Sequence, residues 1–158
     1  HVVGDNASAS IFIPAVLYIA AVFLSFSTGT SWGTFAILVP IATAMFEGST
    51  NLEMMIVAVA AVLAGAVCGD HISPISDTTV MSSAGAQSNH LNHVSTQMQY
   101  AAVVMIVSLI GYLLAGIVQI WWVVLGFSLI LLLAVLSGMK IFFERKEKKQ
   151  AAASGGGK

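Results

Sequence analysis

The stretch of sequence that decides the fold is Gly69-Asp70-His71-Ile72-Ser73-Pro74-Ile75-Ser76-Asp77-Thr78-Thr79. It contains two carboxylates, an imidazole, four hydroxyl side chains and a proline, which cannot continue a helix. The fifteen residues before it, 54–68, are apolar and carry no charge. An apolar run that leads into such a polar stretch predicts a helix broken inside a membrane, where ionisable residues are costly and usually functional.

The composition of the whole chain supports a membrane location. Hydrophobic residues make up 58% of the 158 residues and charged residues only 8%, against about 25% charged residues in a soluble domain. Every Lys and Arg lies at or beyond Lys140, so residues 1–139 contain none. The composition predicts an all-α polytopic membrane protein. It excludes a nucleic-acid-binding surface before the tail, because no basic patch is present there.

Residues 11–46 form two apolar arms of about 15 residues each, joined by Ser27-Thr28-Gly29-Thr30-Ser31. Each arm is shorter than the ~20 residues that a crossing helix needs. We therefore expect a re-entrant helical hairpin with its tip at 27–31 rather than one long helix. The free backbone groups of the tip must then be buried in protein or line a wet cavity.

The same criteria, the length of the apolar runs and the position of polar residues, divide the rest of the chain into segments. We expect a discontinuous transmembrane helix with a break at 69–77, two full spans and a basic, flexible tail. A polar segment precedes the hairpin, and an interfacial segment follows the broken helix. The expected segments are 1–10 (leading loop), 11–46 (hairpin), 52–88 (broken helix), 89–99 (interfacial), 100–118 and 121–143 (full spans) and 144–158 (tail).

The basic tail predicts the orientation, since positive residues that flank a span favour the cytoplasm. Counting back from a cytoplasmic C-terminus places Trp121 and Leu52 on the outer side, so that the hairpin enters from that side. We expect a multi-pass protein of the inner cell membrane. A hairpin followed by a broken helix is the kind of half that transporters pair with an inverted copy, so we expect this chain to be one half of a longer protein.

The candidate chemistry lies at Asp70 and Asp77. No Lys or Arg is available in residues 1–139 to neutralise them, so a bound cation or proton is the expected compensation. Burial and mutual repulsion both favour the protonated form of a carboxylate. The pair is therefore expected to hold either a proton or a cation, which is the minimum requirement for cation/proton exchange.

Hydroxyl groups on both sides suit a hard cation, as do carbonyls freed where a helix breaks. The alternative for each hydroxyl is a helix cap or a bond back to its own helix. The candidates are Ser73, Ser76, Thr78 and Thr79 at the break and Ser27, Thr28, Thr30 and Ser31 at the tip.

Three alternatives concern the same residues. The two acids could belong to a polar loop outside the membrane, but the flanking apolar segments would then be short. The residue types of a zinc site are present, namely Cys68, His71, His90 and His93, but the predicted topology separates the last two from Cys68. His71 is expected to be a hydrogen-bond partner of Asp70 or a proton relay. Apart from Na⁺ we expect no metal and no cofactor.

Three ordered motifs resemble the NhaC-type Na⁺/H⁺ antiporter family. The first is the stretch 69–79. The second is Thr28-Gly29-Thr30-Ser31-Trp32-Gly33-Thr34 followed by Pro40-Ile41-Ala42, and the third is the segment 89–100. The resemblance covers roughly residues 10–110 and only the C-terminal half of such a protein. It implies one half of an inverted-repeat, elevator-type transporter.

Position by position, the resemblance implies an ion site at Asp70, Ser73, Ser76, Asp77 and Thr78, opposite Thr28, Gly29, Thr30 and Ser31. It implies exchange of Na⁺ for H⁺, with the bilayer, the two ions and the missing N-terminal repeat as partners. A homodimer is left open. The alternatives are an organic-anion exchanger of the malate/lactate type and a non-transporting assembly subunit. An enzyme is not expected, because no nucleophile has a positioned base.

Overall fold

The computed structural model describes residues 10–47 and 51–155, and in this part of the chain the protein is all-helical. Most of the predicted leading loop and the residues 48–50 lie outside the described residues. There are six helices in the described part: α1 (Ile13–Thr28), α2 (Ser31–Met45), α3 (Leu52–Ile72), α4 (Asp77–Gly85), α5 (His90–Ile117) and α6 (Trp121–Gly155).

The first two helices form a hairpin because the sequence ends one and starts the next within two residues. Pro14 lies in the first turn of α1, where a proline is tolerated. Gly29 closes α1 in the left-handed conformation, with φ of 68°, and its N–H donates to the Ser25 carbonyl at 2.8 Å. Thr30 is extended and its hydroxyl accepts from the Gly33 N–H, which starts α2.

Three helices of the described chain are long and apolar enough to cross a membrane: Leu52–Ile72, His90–Ile117 and Trp121–Ile141. The helices α1 and α2 are apolar but contain only 16 and 15 residues. The chain therefore has the helix content of a polytopic membrane protein, as its composition predicts.

The core lies between α1 and α3, which pack at close range through small side chains. Ala58, Ala61, Gly65 and Ala66 of α3 are all buried. A Cβ atom at Gly65 would overlap the Tyr18 carbonyl, and one at Gly69 would overlap the Val22 carbonyl. Such close approach of two backbones is the usual role of small residues in membrane helices.

The helix α5 covers the other side of α1 and α3. The Tyr112 ring lies 5.3 Å from the Tyr18 ring, and the Tyr112 hydroxyl donates to the Ala60 carbonyl at 3.1 Å. The helix α6 contacts α5 where Ser128 lies against Gly111. No residue of the apolar part of α6 is buried within the described chain.

Two features differ from the sequence-based expectation. The helix α3 continues through the polar residues Gly69, Asp70 and His71 to Ile72, so its 21 residues suffice to cross a membrane. This happens because Pro74 excludes the helical conformation only from Ser73 onward. The helix α6 continues to Gly155, through most of the predicted flexible tail, since Glu, Lys, Arg, Gln and Ala are strong helix formers.

Candidate functional site

The hairpin tip and the break after α3 lie together because α1 and α3 are parallel and in register. The contacts advance by one turn on both helices, from Tyr18 with Gly65, to Val22 with Gly69, to Phe26 with Ser73. Beyond these contacts, Gly29 at the end of α1 lies against Ile75 in the break. A Cβ atom added at Gly29 would lie 2.9 Å from the Ile75 carbonyl oxygen. Only glycine fits at position 29, because the backbone there also has a positive φ.

The break itself consists of residues 73–76. Ser73 is extended, with ψ of 127°, and its hydroxyl donates to the Phe26 carbonyl at 2.8 Å. Ser76 is extended as well, and its hydroxyl lies 2.8 Å from the Thr78 hydroxyl. Both serines are 0% exposed. The break therefore places buried hydroxyl oxygens beside backbone that is not in a helix.

Asp70 faces the start of α2. Its Oδ2 accepts a hydrogen bond from the Ser31 hydroxyl at 3.1 Å. Its Oδ1 is fully buried and has no hydrogen-bond partner among the described residues. A buried carboxylate oxygen without a donor is costly unless the group is protonated or paired with a cation. Asp70 thus has one carboxylate oxygen that no donor in the described chain satisfies.

Asp77 lies on the more open side of the break. Its side chain is exposed, and its Oδ1 accepts from the Thr78 N–H at 2.7 Å. The N-terminus of α4 favours a negative charge at this position. The two carboxylates therefore differ in environment, because one is largely buried against the hairpin and the other is accessible to solvent.

Some residues of the hairpin tip contact Asp70 or the break, whereas others only form hydrogen bonds at the ends of their own helices. Ser31 reaches Asp70, and Gly29 permits the approach to Ile75. The Thr28 hydroxyl donates back to the Leu24 carbonyl at 2.9 Å, and the Thr30 hydroxyl caps α2. Thr28 and Thr30 therefore have the local bonds that sequence reasoning gave as the alternative.

No hydrogen bond joins the side chains of His71 and Asp70 in the described structure. The His71 side chain is exposed and lines a groove of about 850 Å³ together with Tyr18, Cys68 and Gln97. The hydrogen bond that Asp70 makes in the described structure is to Ser31. Adjacent residues of a helix diverge by about 100°, which is why neighbours in sequence face different sides here. No three His, Cys, Asp or Glu side chains converge in the described parts of the chain.

The structure also adds residues that the sequence reasoning does not place at the break. His90, at the start of α5, lies 2.8 Å from the Pro74 carbonyl through Nε2 and 3.0 Å from the Ser83 hydroxyl through Nδ1. His93 lies 3.2 Å from the Ser82 hydroxyl. Thr79, which the sequence already places at the break, donates its hydroxyl proton to the His71 carbonyl at 3.5 Å.

These contacts mean that the chain returns to the break after α4. The sequence-based prediction differs, because it assigns residues 77–88 to the second half of a transmembrane crossing. It therefore places the two histidines away from the break. The physical reason is the polar character of α4, whose hydroxyls pair with α5 and with the end of α3. The only sequence signal for this arrangement is the coincidence of Ser82-Ser83 with His90 and His93 across a short loop.

The sequence model of the Na⁺/H⁺ antiporter family matches residues 2–117. The chain belongs to the Na⁺/H⁺ antiporter family. The match includes the hairpin, α3, the break, α4 and α5.

Three relatives match about two thirds of this chain, and two of them are named as antiporters. An uncharacterized protein of Haemophilus influenzae is 51% identical over 105 residues, which are 66% of this chain and 20% of that protein. The malate-2H⁺/Na⁺-lactate antiporter of Bacillus subtilis is 34% identical over 112 residues, 68% of this chain and 23% of that protein. An uncharacterized Na⁺/H⁺ antiporter of H. influenzae is 35% identical over 109 residues, 66% of this chain and 23% of that protein.

The matched segment spans only about a fifth to a quarter of the length of these curated relatives. The names of the family and of the two described relatives refer to antiport rather than to an enzymatic reaction. No solved structure matches the chain.

Proposed function

We propose that this chain is part of a secondary active transporter that exchanges Na⁺ for H⁺, with both ions competing for Asp70 and Asp77. The observation that carries the proposal is the buried Oδ1 of Asp70, which lacks a partner among the described residues. Residues 1–139 contain no Lys or Arg to supply one. A proton or a Na⁺ ion would each neutralise the carboxylate, and binding of one excludes the other.

The oxygen atoms around Asp70 suit a hard monovalent cation better than a soft metal. Ser31 contributes a hydroxyl from the hairpin, and the break contributes the hydroxyls of Ser73, Ser76 and Thr78. Asp77 is exposed at the start of α4, so we propose that it binds the ions and protons on the more open side of the site. His71, on the other face of α3, is a proposed proton relay from the groove.

The membrane arrangement belongs to the same proposal. A helix of 16 residues is about 24 Å long, which is less than the ~30 Å hydrocarbon thickness, so we propose that α1 and α2 form a re-entrant hairpin. The basic end of α6 favours a cytoplasmic C-terminus in the inner membrane. The rest of the transporter, including an inverted repeat that moves in an elevator-like manner, would lie in sequence outside this chain, and a dimer of the whole protein remains part of the hypothesis.

The test uses the full-length protein in everted membrane vesicles. Asp70→Asn keeps the shape of the side chain but cannot exchange a proton or balance a cation, so Na⁺-dependent proton movement should fall at least about a hundredfold, as it does when an essential charged group is removed. Asp77→Asn should also abolish exchange. Glu53→Gln, an exposed acid in the first turn of the same helix, is the matched control and should leave exchange unchanged.

Exchange at the wild-type rate in Asp70→Asn protein that is correctly inserted would refute the role of Asp70. No Na⁺-dependent signal in the wild type, together with no effect of either aspartate on any flux, would instead favour a non-transporting assembly subunit.

A second candidate function is exchange of an organic anion, which the name of the B. subtilis relative favours. A carboxylate substrate requires a cationic or helix-N-terminal partner, and residues 1–139 supply no Lys or Arg. Such a partner would have to come from the rest of the protein. Substrate competition in a reconstituted flux assay, in which unlabelled malate or lactate either does or does not inhibit the flux of the labelled organic acid, separates the two candidates.

A further inference from the structure

The imidazole of His90 connects three parts of the chain. Its Nε2 lies 2.8 Å from the carbonyl oxygen of Pro74, inside the break. Its Nδ1 lies 3.0 Å from the hydroxyl of Ser83, in α4, while His90 itself starts α5. Ser83 is buried, and its hydroxyl also lies 2.9 Å from the Val80 carbonyl. The side chain thus joins the break, α4 and α5 at one point.

Counting protons identifies the form of His90 that fits all of these contacts. A carbonyl only accepts, so Nε2 must carry a proton to bond to Pro74. The single hydroxyl proton of Ser83 can be donated to Val80 or to Nδ1, but not to both. A neutral imidazole therefore satisfies two of the three contacts. An imidazolium satisfies all three, because Nδ1–H donates to Ser83 while Ser83 donates to Val80.

We propose that His90 is a positioning residue whose imidazolium form holds α4 and α5 against the break, so that proton binding at His90 fixes the arrangement of the proposed ion site. At low pH the three hydrogen bonds form together. Without the second proton on the imidazole one of these hydrogen bonds is lost, and α4 is held less firmly. The sign follows from linkage, since the arrangement that binds the extra proton is stabilised as the proton concentration rises.

The surrounding helix ends give a balanced electrostatic setting. The C-terminal turn of α4, which contains Ser83, lies beside His90 and favours a positive charge there. The position of His90 at the start of α5 opposes that charge. The titratable groups on the elements packed against it are Glu53, Cys68, Asp70 and His71 of α3 and Asp77 of α4, and its own helix carries His93, Tyr100 and Tyr112. Asp70 bonds to Ser31, and His93 bonds to Ser82.

His93 is the natural comparison, because it makes one such contact instead of two. Its Nε2 lies 3.2 Å from the Ser82 hydroxyl, and that hydroxyl lies 3.0 Å from the Thr79 carbonyl. A neutral imidazole with a proton on Nε2 satisfies both contacts. His93 therefore gains no hydrogen bond from a second proton, and its removal should leave the pH response of the break unchanged.

The experiment measures hydrogen–deuterium exchange of the full-length protein by mass spectrometry at about pH 5.5 and about pH 8, on either side of the ordinary histidine transition. Rates are corrected for the intrinsic pH dependence of exchange. The wild-type segment 73–85 should exchange about fivefold more slowly at the lower pH, the effect of one hydrogen bond of ordinary strength. His90→Gln keeps a donor for Pro74 but does not titrate, so the difference should disappear. His93→Gln should retain it.

A pH difference in the His90→Gln protein equal to that of the wild type would overturn the proposal, as would its absence in the wild type. If His90→Gln does not fold, Ser83→Ala provides the test, because it removes the acceptor of Nδ1–H and should also abolish the difference. Persistence of the difference in Ser83→Ala would refute the proposed bridge.

The inference rests on the proposed antiport only for its consequence in transport. In vesicles, His90→Gln should shift the pH profile of Na⁺/H⁺ exchange while retaining exchange itself. If the full-length protein shows no exchange, the antiport proposal fails, but the deuterium measurement still decides the role of His90.

Discussion

The two sides of the break are built differently. On the α1 side the contacts are buried and involve backbone groups, as in the Ser25 hydroxyl that donates to the Ala66 carbonyl at 2.6 Å and the Ser73 hydroxyl that donates to Phe26. On the α4 side, Asp77, Thr78 and Ser82 are exposed. The difference indicates that the hairpin and α3 form a fixed unit. The α4 side is the more exposed side of the break within the described part of the chain.

The largest loss of stability is expected from Gly69→Ala, on the α1 side of the break. In Gly69→Ala the new methyl group would overlap the Val22 carbonyl and lie 3.0 Å from the Ser25 Cβ, so the two helices must separate. We expect a loss of about 3 kcal/mol in stability, the upper end for overpacking, measured as thermal unfolding of the full-length protein in detergent.

The matched control for that variant is Gly138→Ala on α6, where an added Cβ meets nothing within 4 Å. In the control the better helix propensity of alanine should raise stability by up to about 1 kcal/mol. Equal unfolding temperatures for the two variants would contradict the close packing of α1 on α3.

An intermediate effect is expected from Ser73→Ala. The substitution leaves the Phe26 carbonyl without its side-chain donor inside a buried contact, which costs about 1–3 kcal/mol. The measurement is again thermal unfolding. Ser27→Ala is the control, since the Ser27 hydroxyl is exposed and donates only to the Phe23 carbonyl of its own helix. A larger loss in Ser27→Ala than in Ser73→Ala would be inconsistent with a fixed α1 side.

The smallest effect is expected on the open side. Ser82→Ala removes an exposed hydroxyl that bonds to Thr79 and His93. Stability should change by no more than about 0.5 kcal/mol, as for most surface substitutions. If Ser82→Ala destabilised the protein as much as Ser73→Ala, the contrast between the two sides would not hold.

The sequence predicts features that depend on local chemistry. A Ser/Thr/Gly cluster and a proline mark where helices stop, and the structure has α1 ending at Thr28 and α3 at Ile72. The all-helical character and the family also follow from the sequence, and the helices of the described residues and the family match confirm them. These signals need no knowledge of the packing.

The sequence does not predict which faces of the helices pack against each other. The helix α3 is apolar almost throughout, so its residues give no amphipathic pattern to distinguish the α1 side from the rest. The contact of His90 with Pro74 joins residues sixteen positions apart through a side chain and a carbonyl. The partner of Asp70 proved to be Ser31 rather than the adjacent His71. Each of these depends on long-range packing.

The register between α1 and α3 also restricts where insertions and deletions can occur in the sequence. Tyr18, Val22 and Phe26 meet Gly65, Gly69 and Ser73 at successive turns, and Gly29 then meets Ile75. A one-residue insertion within either segment would turn everything beyond it by about 100°, so that glycine would no longer oppose backbone. Insertions and deletions in natural relatives should therefore be absent from 18–29 and 65–75 unless they occur in both segments together.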